Sequence, residues 1–163
     1  MQTGTRTQVA LVTLLFTGAA LAQGGLRVAG NQSLSGSRSL RPGFVTQPVW
    51  LRLAAERNTD VAPRRLGPAC VGLVNVQPDY IVRTTARLPL LRFHVRSTGD
   101  TTLVVNTPDG RWRCDDNGGG GQNPLIDVTD TEAGQYDIWV GRRVAGAPLV
   151  ATLTVTDRAA SRP

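Results

Sequence analysis

The sequence contains no lysine and only one histidine, His94, and both features limit what the protein can do. A single histidine without a C-x-x-C spacing disfavours a zinc site or a thiol redox site. Nucleophilic catalysis is disfavoured too, because Ser97 is the only serine between residues 40 and 160. Residues three apart on a strand face opposite sides of a sheet, so Ser97 and His94 cannot form a dyad there. We therefore predict that the chain is not an enzyme.

Only two cysteines are present, Cys70 and Cys114. Outside the cytoplasm, two well-separated cysteines usually pair. The loop between them is long enough for a disulfide to contribute about 4 kcal/mol in the chain-entropy model. We predict a Cys70–Cys114 disulfide.

No apolar run is long enough to make a convincing transmembrane helix, which needs roughly 20 residues. The apolar stretch 9–22 follows Arg6 and ends in Ala20-Leu21-Ala22, the small-x-small pattern of a signal peptidase site. Residues 1–22 are therefore predicted to be a signal peptide, and the mature chain to be secreted or periplasmic without a membrane span.

Helical periodicity is also missing from the chain. After a Gly/Ser-rich stretch at 23–42, predicted to be a flexible leader, short alternating runs are separated by turn residues. This pattern predicts an all-β, jelly-roll-type β-sandwich of about eight strands over 43–157, and 158–163 reads as a disordered tail. In this pattern Arg92, His94 and Arg96 form a solvated outer stripe. The expected core residues are Leu91, Phe93, Val95, Leu103, Val105, Tyr136, Ile138, Leu153 and Val155.

The stretch RWRCDDNGGGGQNP, residues 111–124, combines a tryptophan, a cysteine, two arginines, two adjacent aspartates and a run of four glycines. If RWRC is a strand, Trp112 and Cys114 share one face, and Arg111 and Arg113 lie on the other. Trp112 is then expected to pack beside the disulfide.

Acidic residues concentrate near this stretch, although the formal net charge of the chain is +6. Adjacent carboxylates in a glycine-rich loop suit calcium, which takes six to eight oxygen ligands. Aspartate and asparagine are also ordinary turn formers, and the spacing is not that of an EF-hand, so both interpretations stay open. The candidate ligands for a structural calcium are Asp100, Asp115, Asp116, Asn117 and Asp127.

The remainder of the chain is basic and includes the pairs Arg64-Arg65 and Arg142-Arg143. Arginine forks suit phosphates and sulfates. No basic tract, aromatic ladder or RNA-binding signature accompanies these arginines, so the sequence disfavours nucleic acid as a partner.

Several segments resemble the bacterial pre-peptidase C-terminal domain family, also called peptidase-associated: Gly43-Phe44, Cys70-Val71-Gly72, Pro78–Tyr80, 99–127 and 134–141. The resemblance implies a jelly-roll β-sandwich of the kind appended to secreted proteases and other hydrolases. The family in turn resembles the collagen-binding domains of bacterial collagenases, some of which bind calcium. Asp100, Asp115 and Asp116 fall where such domains carry acidic residues.

The resemblance and the residues together predict an exported, non-catalytic accessory domain that binds a protein or polymeric partner. A hydrolase that uses the aspartate cluster, and a purely structural envelope protein, are the alternatives.

Overall fold

The computed structural model describes residues 21–23, 25–44, 47–53 and 59–158. The predicted signal peptide before Leu21, and the predicted tail beyond Arg158, lie outside the described residues. Within the described ranges, no helix is both long and apolar enough to cross a bilayer.

One layer of the fold is a four-stranded antiparallel sheet. It consists of β4 (Gln47–Leu53), β8 (Leu90–Ser97), β11 (Leu125–Thr129) and β13 (Leu149–Thr156). The spatial order is β11-β8-β13-β4, so β8 and β13 are interior strands with a partner on each side.

The second layer is a seven-stranded sheet built around the long strand β12 (Gly134–Arg142). On one side of β12 lies β9 (Thr101–Asn106), followed by the edge strand β10 (Trp112–Asp115). On the other side, β12 pairs with β7 (Tyr80–Thr84) and then with β6 (Leu73–Val74). The sheet is completed by β3 (Ser37–Leu40), parallel to β7, and by β5 (Thr59–Asp60), antiparallel to β6.

The main core lies between these two sheets. It contains every core residue that the alternating pattern predicts, among them Phe93, Leu103, Tyr136 and Leu153, which are all fully buried. Phe93 and Tyr136 pack with ring centroids 6.0 Å apart. The all-β sandwich is therefore confirmed, because alternation along each strand places one apolar row between the layers.

A second core covers the outer face of the seven-stranded sheet. Trp139 on β12 and Val104 on β9 point away from the main core, yet both are fully buried. Leu26 and Val28 from β2 (Leu26–Val28) cover them, together with residues from the segment around a short 3₁₀ helix, Ala62–Arg64. An indole needs this cover, since burying an aromatic side chain removes a large apolar area from water.

The predicted flexible leader, 23–42, is wrong over the residues that the structure describes. Leu26 and Val28 alternate with the exposed Arg27, β2 pairs with β1 (Leu21–Gln23), and Leu40 enters the main core. Leu26 and Val28, at strand spacing, bury apolar area on the outer face of the seven-stranded sheet, and Leu40 buries apolar area in the main core, so the segment is held at both ends. The strands beyond the predicted eight include β1, β2, β5 and β6, which are two or three residues long.

Candidate functional site

The disulfide predicted from the sequence is confirmed. Cys70 and Cys114 are bonded at 2.03 Å in the second core. Trp112 packs against the same cluster, and its ring centroid lies 5.5 Å from that of Trp139. Arg113, between Trp112 and Cys114 in the chain, is exposed, as strand alternation requires. The disulfide therefore joins the segment around the 3₁₀ helix, which covers the outer face of the seven-stranded sheet, to the edge strand β10.

Asp115, at the end of β10, organises the glycine-rich loop that follows. Its Oδ2 accepts hydrogen bonds from the backbone N–H of Gly118, at 2.7 Å, and of Leu125, at 2.8 Å. One carboxylate oxygen therefore joins the start of the loop to the first residue of β11. This is the turn-forming role that the sequence left open beside calcium binding.

Asp127 and Asp116 are held by arginines on other elements. Both carboxylate oxygens of Asp127 accept from Arg92, at 2.6 and 2.7 Å, and the Arg92 side chain is only 6% exposed. Asp116 accepts from Arg143 at 3.2 Å. Bidentate pairs of the first kind fix geometry and neutralise charge together.

The remaining candidate ligands lie near the loop without joining it into one cation site. The side-chain Oδ1 of Asp100 is buried and lacks a hydrogen-bond partner among the described residues. Asn117 uses its backbone carbonyl to accept from the N–H of Gly120. No group of three or more His, Cys, Asp or Glu in the described ranges is placed to hold a metal ion. Asp127 on β11 pairs with Arg92 on the neighbouring strand β8 of the four-stranded sheet, whereas Asp115 lies on β10 in the seven-stranded sheet and Asp116 follows it; calcium binding stays a prediction.

His94 does not lie on a solvated outer face, so that expectation is wrong. Its side chain points outward from the four-stranded sheet, but the residue is only 3% exposed. The glycine-rich loop folds over it: a Cβ on Gly119 would come within 3.1 Å of its ring. A side chain at position 119 would come within 2.8 Å of the backbone carbonyl of Asn123 and would crowd the imidazole, so glycine allows the loop to cover His94 closely.

The surroundings of the imidazole favour its neutral form. Burial lowers the pKa of His94, and the positive charges of Arg96 and Arg92 on the same strand lower it further. Its Nε2 is buried without a hydrogen-bond partner among the described residues. A histidine in this environment is a poor general base, since it is closed to substrate as well as to water.

The loop that covers His94 also connects the two sheets. Asn123 accepts from the backbone N–H of Ser97 through its side-chain oxygen, at 2.9 Å, and the carbonyl of Pro124 accepts from Val95. The carbonyl of Gln122 accepts from Thr101 at the start of β9. The sequence analysis missed this role of Asn123; the only available signal was an asparagine before Pro124 at the end of a glycine run.

The two arginine pairs have different roles. Arg142 is 7% exposed and donates to the carbonyls of Gly146 and Ala147, so it shapes the connection between β12 and β13. Arg143 pairs with Asp116. Arg65 is exposed, in a left-handed backbone conformation that ends the 3₁₀ helix. The guanidinium groups of Arg142 and Arg143 therefore both have partners within the protein and do not form an open anion-binding site.

The distribution of paired and unpaired charge is the most distinctive feature of the surface. Most described carboxylates have protein partners: Glu132 pairs with Arg87, and Asp137 accepts from the N–H of Ala29 and the amide of Gln135. By contrast, a set of exposed arginine side chains makes no hydrogen bond or ion pair within the described ranges. These unpaired arginines are Arg27, Arg38, Arg41, Arg65, Arg96 and Arg113.

Comparison with known proteins gives structural similarity only. No protein-family model matches the chain, and no curated protein matches it. Among solved structures, it is similar to the pre-peptidase C-terminal domain of a collagenase from Bacillus anthracis, with 11% identity and a TM-score of 0.46 over 74% of this chain and 94% of that one. It is also similar to PliG of Aeromonas hydrophila, a periplasmic inhibitor of g-type lysozyme, with 10% identity and a TM-score of 0.41 over 74% and 96%.

The first of these structures carries the name of the family that the sequence resembles. Identities and TM-scores of this size carry no conclusion about a ligand or a partner. The function proposed below is argued from the residues of this chain.

Proposed function

We propose that the mature chain is an exported, non-catalytic β-sandwich domain that binds an anionic polymeric or protein partner outside the cytoplasm. The observation that carries the proposal is the imbalance between paired carboxylates and unpaired, exposed arginines. Carboxylates that pair with guanidinium groups contribute little negative potential at the surface. The arginines that have no such partner leave a positive field, which attracts anionic partners.

Export is supported by the disulfide and by the predicted signal peptide. Cys70 and Cys114 are bonded within the second core, and a structural disulfide of this kind persists in an oxidising compartment. Arginine suits recognition there, because its planar fork can bind a carboxylate or a sulfate with two hydrogen bonds.

The absence of a catalytic role is supported by the environment of the most reactive side chains. His94 lies beneath the loop, and both cysteines are oxidised. Asp115 and Asp127 accept hydrogen bonds from protein donors. A general acid or base needs contact with substrate, and these groups are already engaged or enclosed.

The proposal is tested with the exported chain, purified with its disulfide intact. Fluorescence anisotropy measures its binding to labelled polyglutamate, a polyuronate and neutral dextran, between 20 and 300 mM salt. We expect the two anionic polymers to bind, with affinity falling as salt rises, and dextran not to bind. Equal binding of all three polymers, or no binding at low salt, contradicts the proposal.

Variants connect the binding to the unpaired arginines. Replacing Arg27, Arg65 and Arg113 together by glutamine should weaken polyanion binding. The matched control is Arg87→Gln, which removes an exposed arginine that already pairs with Glu132. If the control weakens binding as much as the triple variant does, the distinction between paired and unpaired arginines is wrong.

A further inference from the structure

An open groove lies on the outer face of the four-stranded sheet, over the interior strands β8 and β13. Its volume is about 440 Å³. We call it the donor groove, and it is lined by Arg96, Ser97, Thr98, Asn123, Val150 and Thr152.

The lining is rich in hydrogen-bond donors and contains no carboxylate. Arg96 is exposed, with a guanidinium that has no partner in the described ranges. The side-chain oxygen of Asn123 accepts from Ser97, which fixes the amide and leaves its nitrogen as a donor. Thr98 is exposed and adds a hydroxyl. A ligand that matches this lining must present closely spaced oxygen acceptors.

The floor of the groove is partly apolar. Val150 is 53% exposed, unusually open for a large apolar residue in this chain. Its register partner on the neighbouring strand β4 is Arg52. An exposed apolar side chain in the same lining as the guanidinium of Arg96 suits a sugar ring, which has C–H faces and carries its hydroxyls and acid groups at the edge.

Strand geometry argues against a peptide as the occupant. Extended peptides commonly bind by adding a strand to a free sheet edge, where backbone groups are unpaired. The groove lies over β8 and β13, and each of these strands pairs on both sides. Recognition there cannot come from adding a strand, so it depends on the side chains and loop residues that line the groove.

We infer that the donor groove is a binding site for a carboxylate-bearing polysaccharide of the uronate type. Arg96 binds the carboxylate, Asn123 and the threonine hydroxyls bind ring hydroxyls, and Val150 contacts the ring face. This inference rests on the proposed function, since it names the ligand class and the location of one anion-binding surface.

The test uses the exported chain with labelled oligogalacturonate, a neutral oligogalactan of the same length, and polyglutamate. Arg96→Gln and Thr152→Val change the groove, and Arg87→Gln is the control, an exposed arginine that pairs with Glu132 and does not line the groove. Circular dichroism and thermal melting check that each variant folds. We expect Arg96→Gln to weaken oligogalacturonate binding about tenfold, Thr152→Val to weaken it less, and Arg87→Gln to change it less than about twofold.

The outcomes separate this inference from the proposed function. If polyanions bind but the groove variants leave oligogalacturonate affinity unchanged, the groove assignment is wrong and the proposed function stands. If no polyanion binds, both are wrong. If the groove variants weaken polyglutamate as much as oligogalacturonate, or if the neutral oligogalactan binds equally well, the uronate assignment is wrong.

Discussion

Removing the disulfide should destabilise the fold strongly. The bond closes a loop with a sequence separation of 44. In the chain-entropy model, freeing a loop of this length costs about 4 kcal/mol. Cys70 is also 3% exposed within the second core, so a double Cys70→Ser, Cys114→Ser variant buries a hydroxyl beside Trp139 and Leu26. The variant should therefore lose at least as much stability as the reduced protein.

Differential scanning calorimetry of the oxidised protein, the reduced protein and the double variant measures the effect. For a domain of this size, 4 kcal/mol corresponds to a fall in Tm of about 12–16 °C. Reductant should lower the Tm of the wild-type protein and leave the variant unchanged, which controls for any direct effect of the reductant. A reduced protein that melts within about 3 °C of the oxidised one would refute the reasoning, because it would show that contacts of the second core, and not the cross-link, hold the covering segment.

Three further predictions concern the loop and its surroundings. Replacing Asp127 by Asn should cost about 2–3 kcal/mol in urea denaturation, since it removes the carboxylate that accepts two hydrogen bonds from the buried guanidinium of Arg92; the additional Arg92→Met change should recover part of that loss, and simple additivity would contradict the coupling. Because burial lowers the pKa of His94 in the folded state, the unfolded chain binds the proton more readily, so stability should fall as the pH drops below about 6.5. His94→Gln should flatten the dependence of Tm on pH between 7.5 and 5.5, and an unchanged slope would show that another group causes it. The calcium site predicted from the sequence should raise the Tm in millimolar calcium, and a chelator should reverse the rise; a Tm that does not respond to calcium would remove the site.

Several features of this protein follow from the local sequence alone. Alternation on β8 and β12 predicted which residues of each strand enter the main core, since a strand has only two faces. The disulfide followed from having two cysteines and a predicted export signal. The position of Trp112 beside the disulfide followed from its two-residue spacing to Cys114.

Other features were decided only by the tertiary structure. The sequence of β8 marks His94 as outward-facing, which is correct, but the loop that covers it comes from residues more than twenty positions later. The same limit applies to Leu26 and Val28, whose apolar partners Val104 and Trp139 lie far along the chain. The acidic residues show the same limit. Their density in the sequence indicated a cation site, but the sequence did not reveal that arginines and backbone N–H groups would bind these carboxylates in the folded chain. Periodicity fixes which face of a strand a residue occupies, and only the packing of distant segments determines whether that face meets water.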